Sequence, residues 1–234
     1  MRFLFVECLS LNEKEECDIM TKKQRALAAV EALKQEYPDA VCSLQSESPL
    51  QLLIATRLSA QCTDARVNLV TPVLFSHFPT LDDFCAATEE EIAQDIRSCG
   101  LYKTKARDIL ALCIKLRDEF DGIVPDTLEQ LTSLPGVGRK TANLMLGDVF
   151  GKPAVVADTH CIRLSNRLRL CETKDPLKVE LELKKLLPPA ESNDFCHRLV
   201  LHGRAVCDAR RPQCDRCCMN LFCPRAGIEE KQRK

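Results

Sequence analysis

A chain of 234 residues, 45% hydrophobic and 29% charged, can bury one large core or two modest ones and has the balance of an ordinary globular protein. No apolar run approaches the ~18 residues that a membrane span needs. The net charge of −1 excludes a uniformly basic nucleic-acid binder, but the charge is unevenly spread. Residues 131–170 and 195–225 each hold six Lys/Arg against two Asp, whereas 51–130 hold eight basic against thirteen acidic residues. Two local basic footprints therefore stand in a neutral chain.

The apolar start Met1–Val6 is cut short by Glu7, and no small-residue cleavage site follows, so no signal peptide is expected. A clean helical pattern begins after Met20, which makes residues 1–19 an expected extension, disordered or untranslated. Lys22 to Tyr37 reads as an amphipathic helix closed by Pro38. Ser48-Pro49 supplies an N-cap and a first-turn proline for a helix through Ala60. Thr63 to Phe78 reads as helix, with Pro72 expected to kink or split it. Thr88-x-x-Glu91 and Asp126-x-x-Glu129 have the form of capping boxes. Tyr102 to Phe120 is helical to the turn Asp121-Gly122; further helices are expected from Asp175-Pro176 to Leu187 and from Asn193 to Val206. No alternating strand pattern appears, so the expected fold is all-α.

Fifteen cysteines in a chain of this length, an odd number mostly scattered along apolar segments, behave as small hydrophobes in a reducing cytosol. The exceptions are Cys207, Cys214, Cys217 and Cys223, spaced Cys-x6-Cys-x2-Cys-x5-Cys. Thiolates so spaced hold either zinc or an iron–sulfur cluster. Cys218, beside Cys217, does not fit the array. Arg210, Arg211 and Arg216 decorate the loop, where they would meet phosphates.

Upstream runs Leu134-Pro135-Gly136-Val137-Gly138-Arg139-Lys140. A short helix containing Leu128 and Leu131 should turn at residues 135–138, with Arg139 opening the next helix. Both glycines are expected to permit positive φ and to bring backbone N–H groups to a phosphate. Such a turn positions DNA without reading it. Lys140, at a helix N-terminus and beside Arg139, is expected to favour its free amine. A neutral lysine amine is a nucleophile suited to covalent catalysis. Asp158 follows the apolar run Ala154 to Ala157 and opens a helix as its N-cap.

The string Leu-Pro-Gly-Val-Gly-Arg-Lys-Thr-Ala resembles the helix-hairpin-helix of the endonuclease III family of DNA glycosylases. The likeness extends through Leu58-Ser59-Ala60-Gln61, Gly100-Leu101-Tyr102, Asp158-Thr159-His160, Leu201-His202-Gly203-Arg204 and the four cysteines, over residues 22 to 225. It implies two helical domains around a DNA-binding cleft. One is residues 42–151 with the hairpin; the other joins 20–41 to 152–225, with 226–234 as a tail. It implies a bifunctional glycosylase and AP lyase of base excision repair, acting as a monomer on oxidised pyrimidines in damaged duplex DNA of the bacterial cytoplasm or nucleoid. Lys140 would be the nucleophile and Asp158 the acid–base partner facing the developing positive sugar. Gln61 and Leu101 would fill the hole left by the flipped base. Gly136, Val137, Gly138, Arg139, Arg204 and Arg211 would contact DNA, and Asp64 and His160 would line the pocket. The cysteines would carry a 4Fe–4S cluster. Two rivals stand beside this reading: a monofunctional mismatch glycosylase, and a non-enzymatic redox-sensing cluster protein that binds DNA. Neither needs Lys140.

Overall fold

The computed structural model describes residues 20–228; the expected 1–19 extension and most of the expected tail lie outside them. Among the described residues there is no strand, and the all-α expectation holds. The described chain divides into two compact units. One is Cys42–Val156; the other holds the described residues up to Val41 and those from Ala157 onward.

The continuous unit contains α2 (Pro49–Leu58), α3 (Asp64–His77), α4 (Leu81–Ala86), α5 (Glu89–Asp95), α6 (Tyr102–Glu119), α7 (Leu128–Ser133) and α8 (Arg139–Asp148). A single 3-10 turn, Arg97–Cys99, precedes α6 and packs on α3, α5 and α6. Helices α4 and α5 pack on α6, and α2 contacts α3, α6 and α8. The core includes Leu53, Ile54, Leu58, Ile92, Ile109, Leu112 and Met145, all fully buried. The second unit contains α1 (Lys22–Glu36), α9 (Thr159–Arg167), α10 (Pro176–Leu186) and α11 (Ser192–Ala205). Here α1 packs on α10 and α11, and α9 on the same two helices, around Ala26, Leu33, Phe195 and Leu199.

Helix starts follow local chemistry. Ser48 accepts from the Gln51 N–H ahead of Pro49, and Thr88 forms the expected reciprocal box with Glu91. The split expected at Pro72 does not occur, and the cap expected for α7 is displaced by one residue. Pro72 neither splits nor ends α3, which runs unbroken through it. Pro72 lies on the exposed face, so the carbonyl that loses its partner is on the solvent side, where water can serve it. The cap of α7 is Thr127 with Gln130, not Asp126 with Glu129. Asp126 is engaged by Lys152, whose Nζ lies 2.6 Å from its carboxylate and 2.5 Å from its carbonyl oxygen.

None of the cysteines among the described residues forms a disulfide, and Cys99, Cys113, Cys161, Cys171 and Cys196 are buried. No helix among the described residues is long and apolar enough to cross a membrane.

Candidate nucleic-acid interface and cysteine loop

The hairpin joins α7 to α8 through Leu134, Pro135, Gly136, Val137 and Gly138. Leu134 and Val137 are buried, and the Val137 N–H donates to the Leu134 carbonyl at 3.1 Å, which closes the turn. Val137 thus shapes the loop from inside. Gly136 has φ +71°, and a Cβ there would come within 2.7 Å of Arg57 Nε and 3.0 Å of Asp108 Cβ. Arg57 in turn pairs with Asp108 at 2.6 Å, so the turn rests on an ion pair that links α2 to α6. Gly138 is different from the expectation. Its φ is −90°, it serves as the N-cap of α8, and nothing would meet a Cβ there. Gly138 is itself exposed, so a side chain there would point into solvent. Arg139 and Lys140 are the first two residues of α8 and both are exposed. The first N–H groups of a helix have no acceptor within it, which leaves a donor set beside the Lys140 amine.

Two other loops of the same unit carry backbone that L-residues rarely adopt. Gln61 sits at φ +54° between α2 and α3, and Leu101 at φ +48° directly after Gly100 at +67°. Both side chains are exposed, Leu101 at 55%. An exposed leucine in a left-handed conformation is a strained backbone position for an L-residue. Asp64, the first residue of α3, is half-buried and accepts from the Ser43 hydroxyl at 2.6 Å.

Asp158 and His160 belong to the other unit. Asp158 caps α9, its carboxylate accepting from the Cys161 N–H at 2.7 Å, and it stays half-buried. His160 Nδ1 lies 3.2 Å from the Arg163 guanidinium. Gly203 on α11 faces both: a Cβ would come within 2.6 Å of His160 and 2.8 Å of Arg163. Arg163 also donates to the Gly203 carbonyl at 3.0 Å, so the glycine of the Leu201–Arg204 string permits a close crossing of α9 and α11. Arg204 is exposed at the end of α11. Arg211 is exposed too, and its backbone N–H, like that of Arg210, donates to Asp208.

Cys207, Cys214, Cys217 and Cys223 line one small pocket together with Arg167 and Arg225. Sequence reasoning missed the groups around them. Arg167 donates to Cys207 Sγ at 3.1 Å and to the carbonyls of Cys207, Asp208 and Ala209. The buried His202 ring has one nitrogen 3.2 Å from Cys217 Sγ and the other 3.2 Å from the Tyr37 hydroxyl. The Cys218 thiol hydrogen-bonds to Cys217 and, together with burial, pushes the Cys217 thiol up to about 12. Burial pushes Cys223 up to about 12, against a backbone hydrogen bond, and the other three thiols add to the rise. Burial likewise raises Cys207 and Cys214.

Four thiols around one pocket, one buried and three half-buried, suit a cationic centre, since a metal stabilises all four thiolates at once. The donor set fits an iron–sulfur group in number and chemistry. It is not yet a cage: among the described residues no three His, Cys, Asp or Glu side chains stand in metal-holding geometry. The expected cluster therefore finds its thiols around one pocket but not drawn to a common point.

Residues 54–189 match the family described as HhH-GPD superfamily base excision DNA repair protein. Endonuclease III of Synechocystis sp. is 47% identical over 207 residues, 88% of this chain and 94% of that protein. Endonuclease III of Bacillus subtilis is 41% identical over 197 residues, covering 84% and 90%. Among solved structures, a trapped endonuclease III–DNA covalent intermediate superposes with a TM-score of 0.83 at 45% identity, covering 87% of this chain and 96% of that one. A thermostable thymine-DNA glycosylase, 24% identical with a TM-score of 0.77 and coverage of 86% and 95%, shares the fold.

Proposed function

Because this chain belongs to the endonuclease III family of HhH-GPD base excision repair proteins, we propose that Lys140 is the nucleophile of its reaction and Asp158 the carboxylate that assists it. The protein is a DNA glycosylase and AP lyase acting on duplex DNA through a covalent intermediate. The observation that carries the assignment is an exposed amine at the second position of a hairpin-borne helix, beside N–H groups suited to hold a phosphate.

In this reading the Lys140 amine attacks C1′ of the damaged nucleotide and the glycosidic bond breaks. The base departs with the bonding electron pair and takes up a proton. The Asp158 carboxylate stabilises the positive charge that develops on the sugar. Ring opening gives a Schiff base between Nζ and C1′. Loss of a C2′ proton then expels the 3′ phosphate, which nicks the strand 3′ to the lesion, and water releases Lys140. Gln61 and Leu101 occupy the gap left in the stack, and their rigid left-handed backbone suits a wedge. Gly136 and Gly138 let the hairpin approach a phosphate, Arg139, Arg204 and Arg211 add charge along the backbone, and Asp64 and His160 line the base pocket.

The thiolates of Cys207, Cys214, Cys217 and Cys223 would hold a 4Fe–4S cluster, which supplies no step of base removal and fixes the loop bearing Arg210 and Arg211. The substrates are oxidised or ring-saturated pyrimidines, met by a monomer in a reducing bacterial cytoplasm.

Borohydride trapping on a duplex with one thymine glycol tests the assignment. Wild-type protein should yield a covalent adduct, and Lys140→Gln should yield none while still binding the damaged duplex. An adduct that persists in Lys140→Gln would remove Lys140 from the role of nucleophile. Base loss without any adduct would turn the reading to a monofunctional glycosylase.

A further inference from the structure

Lys105 stands in the first turn of α6 and is fully buried. A buried ammonium needs acceptors in place of water, and two backbone carbonyls meet this one. Nζ donates to the Leu58 carbonyl at 2.8 Å and to the Cys99 carbonyl at 2.9 Å. Leu58 is the last residue of α2, and Cys99 is the last of the 3-10 turn. Carbonyls at a helix end lack a partner within the helix, so one cation caps both elements. The Gln61 loop leaves from the first of them and the Leu101 loop from the second. A further bond completes the tie, the Lys105 backbone N–H donating to the Leu101 carbonyl at 3.0 Å.

Both loops need such a constraint. Gln61, Gly100 and Leu101 all have positive φ, and Leu101, the N-cap of α6, makes no side-chain cap bond of its own. Strained backbone persists only where its surroundings over-determine it. The same contact of α2 with α6 carries the ion pair beneath Gly136, since Arg57 precedes Leu58 and Asp108 lies three residues after Lys105. We infer that Lys105 is a positioning residue for base excision, its ammonium clamping together the ends of α2 and the 3-10 turn so that Gln61 and Leu101 are held at one spacing. The effect on excision rests on the wedge reading of Gln61 and Leu101 given above; the clamp itself does not.

The test uses the full-length protein with its iron bound and a double-mutant cycle. Single-turnover excision of thymine glycol from a duplex is timed for wild type, Lys105→Met, Gln61→Ala/Leu101→Ala and the triple variant. Hydrogen exchange is followed in residues 59–63 and 99–102. Lys105→Met should slow excision roughly tenfold or more, the scale on which misplaced positioning groups cost rate. Exchange should rise in both loops together. In the Gln61→Ala/Leu101→Ala background the same substitution should cost no more than about twofold, because groups that act as one unit are not additive. Lys105→Gln, which keeps two N–H donors on a shorter arm, should fall between wild type and Lys105→Met, and it carries the cycle if Lys105→Met does not fold. Unchanged exchange in the two loops overturns the clamp. Slowing that multiplies in full onto the alanine pair overturns the positioning role, since a merely structural lysine would act that way. If Gln61→Ala/Leu101→Ala excises at the wild-type rate the wedge reading fails, yet the rise in exchange would still appear, so the two failures are distinguishable.

Discussion

At Gly136 the chain has room for a hydrogen and nothing larger. A methyl group would meet the Arg57 guanidinium at 2.7 Å and would have to adopt φ +71°. The backbone term alone costs about 1 kcal/mol, and displacing Arg57 disturbs its pair with Asp108. Gly136→Ala should therefore lower the unfolding temperature and weaken duplex binding. Gly138→Ala, at φ −90° with open space, should lose only a few tenths of a kcal/mol of cap stability. Thermal unfolding of the two variants side by side measures the contrast, and equal destabilisation would contradict it. The sequence presents the two glycines as equivalent turn residues. What separates them is Arg57, some eighty positions earlier, and no local pattern reports that contact. For Lys140 the reverse is true: the string around it carries both its helix position and its proposed chemistry.

Helix boundaries were largely legible because caps are local. Ser48, Thr88, Asp158 and Asp175 each accept from the third residue of the helix they open. The slip from Asp126 to Thr127 comes from Lys152, whose ion pair with Asp126 lies beyond the reach of a four-residue pattern. Helices α1 and α11 are joined by a second such link, in which Glu191 accepts from Lys34 at 2.5 Å and from Arg198 at 2.8 Å. Lys34 and Arg198 hold the Glu191 carboxyl below its usual range. A depressed acid contributes stability above its unfolded value, about 4.3, and that contribution is lost as the pH falls through the lower folded value. Glu191→Gln should thus be less stable than wild type at neutral pH, and the difference should shrink on acidification. Chemical denaturation at pH 7 and pH 3.5 measures it; a gap that does not narrow would mean the ion pairs contribute nothing.

On the scale of the molecule the four-cysteine loop is tied into its unit by Arg167 from α9 and His202 from α11, with Tyr37 beyond His202. The cysteines themselves were readable from spacing. Arg167 was not, since nothing in a helical arginine forty residues upstream marks it as a thiol partner. If the loop is a 4Fe–4S site, Cys214→Ser should cost the visible absorbance and bound iron, and should destabilise the unit by more than about 3 kcal/mol, as loss of a structural metal does. Hydrogen exchange should then rise in α1, α9 and α11. An unchanged spectrum would show that the ligand set is wrong.

The unit that holds this loop is assembled from two described stretches, one before and one after Cys42–Val156 in the sequence. Synthesis runs from the N-terminus, and domains tend to fold as they emerge. Helix α1 therefore leaves the ribosome before that unit but finds its place only after it, because α10 and α11 follow the whole intervening unit. Until they appear, the apolar face of Ala26, Ala29 and Leu33 has no partner of its own, while the hairpin-bearing unit can already close on itself. In the nascent chain, the hairpin-bearing unit is complete before the cysteine-bearing one.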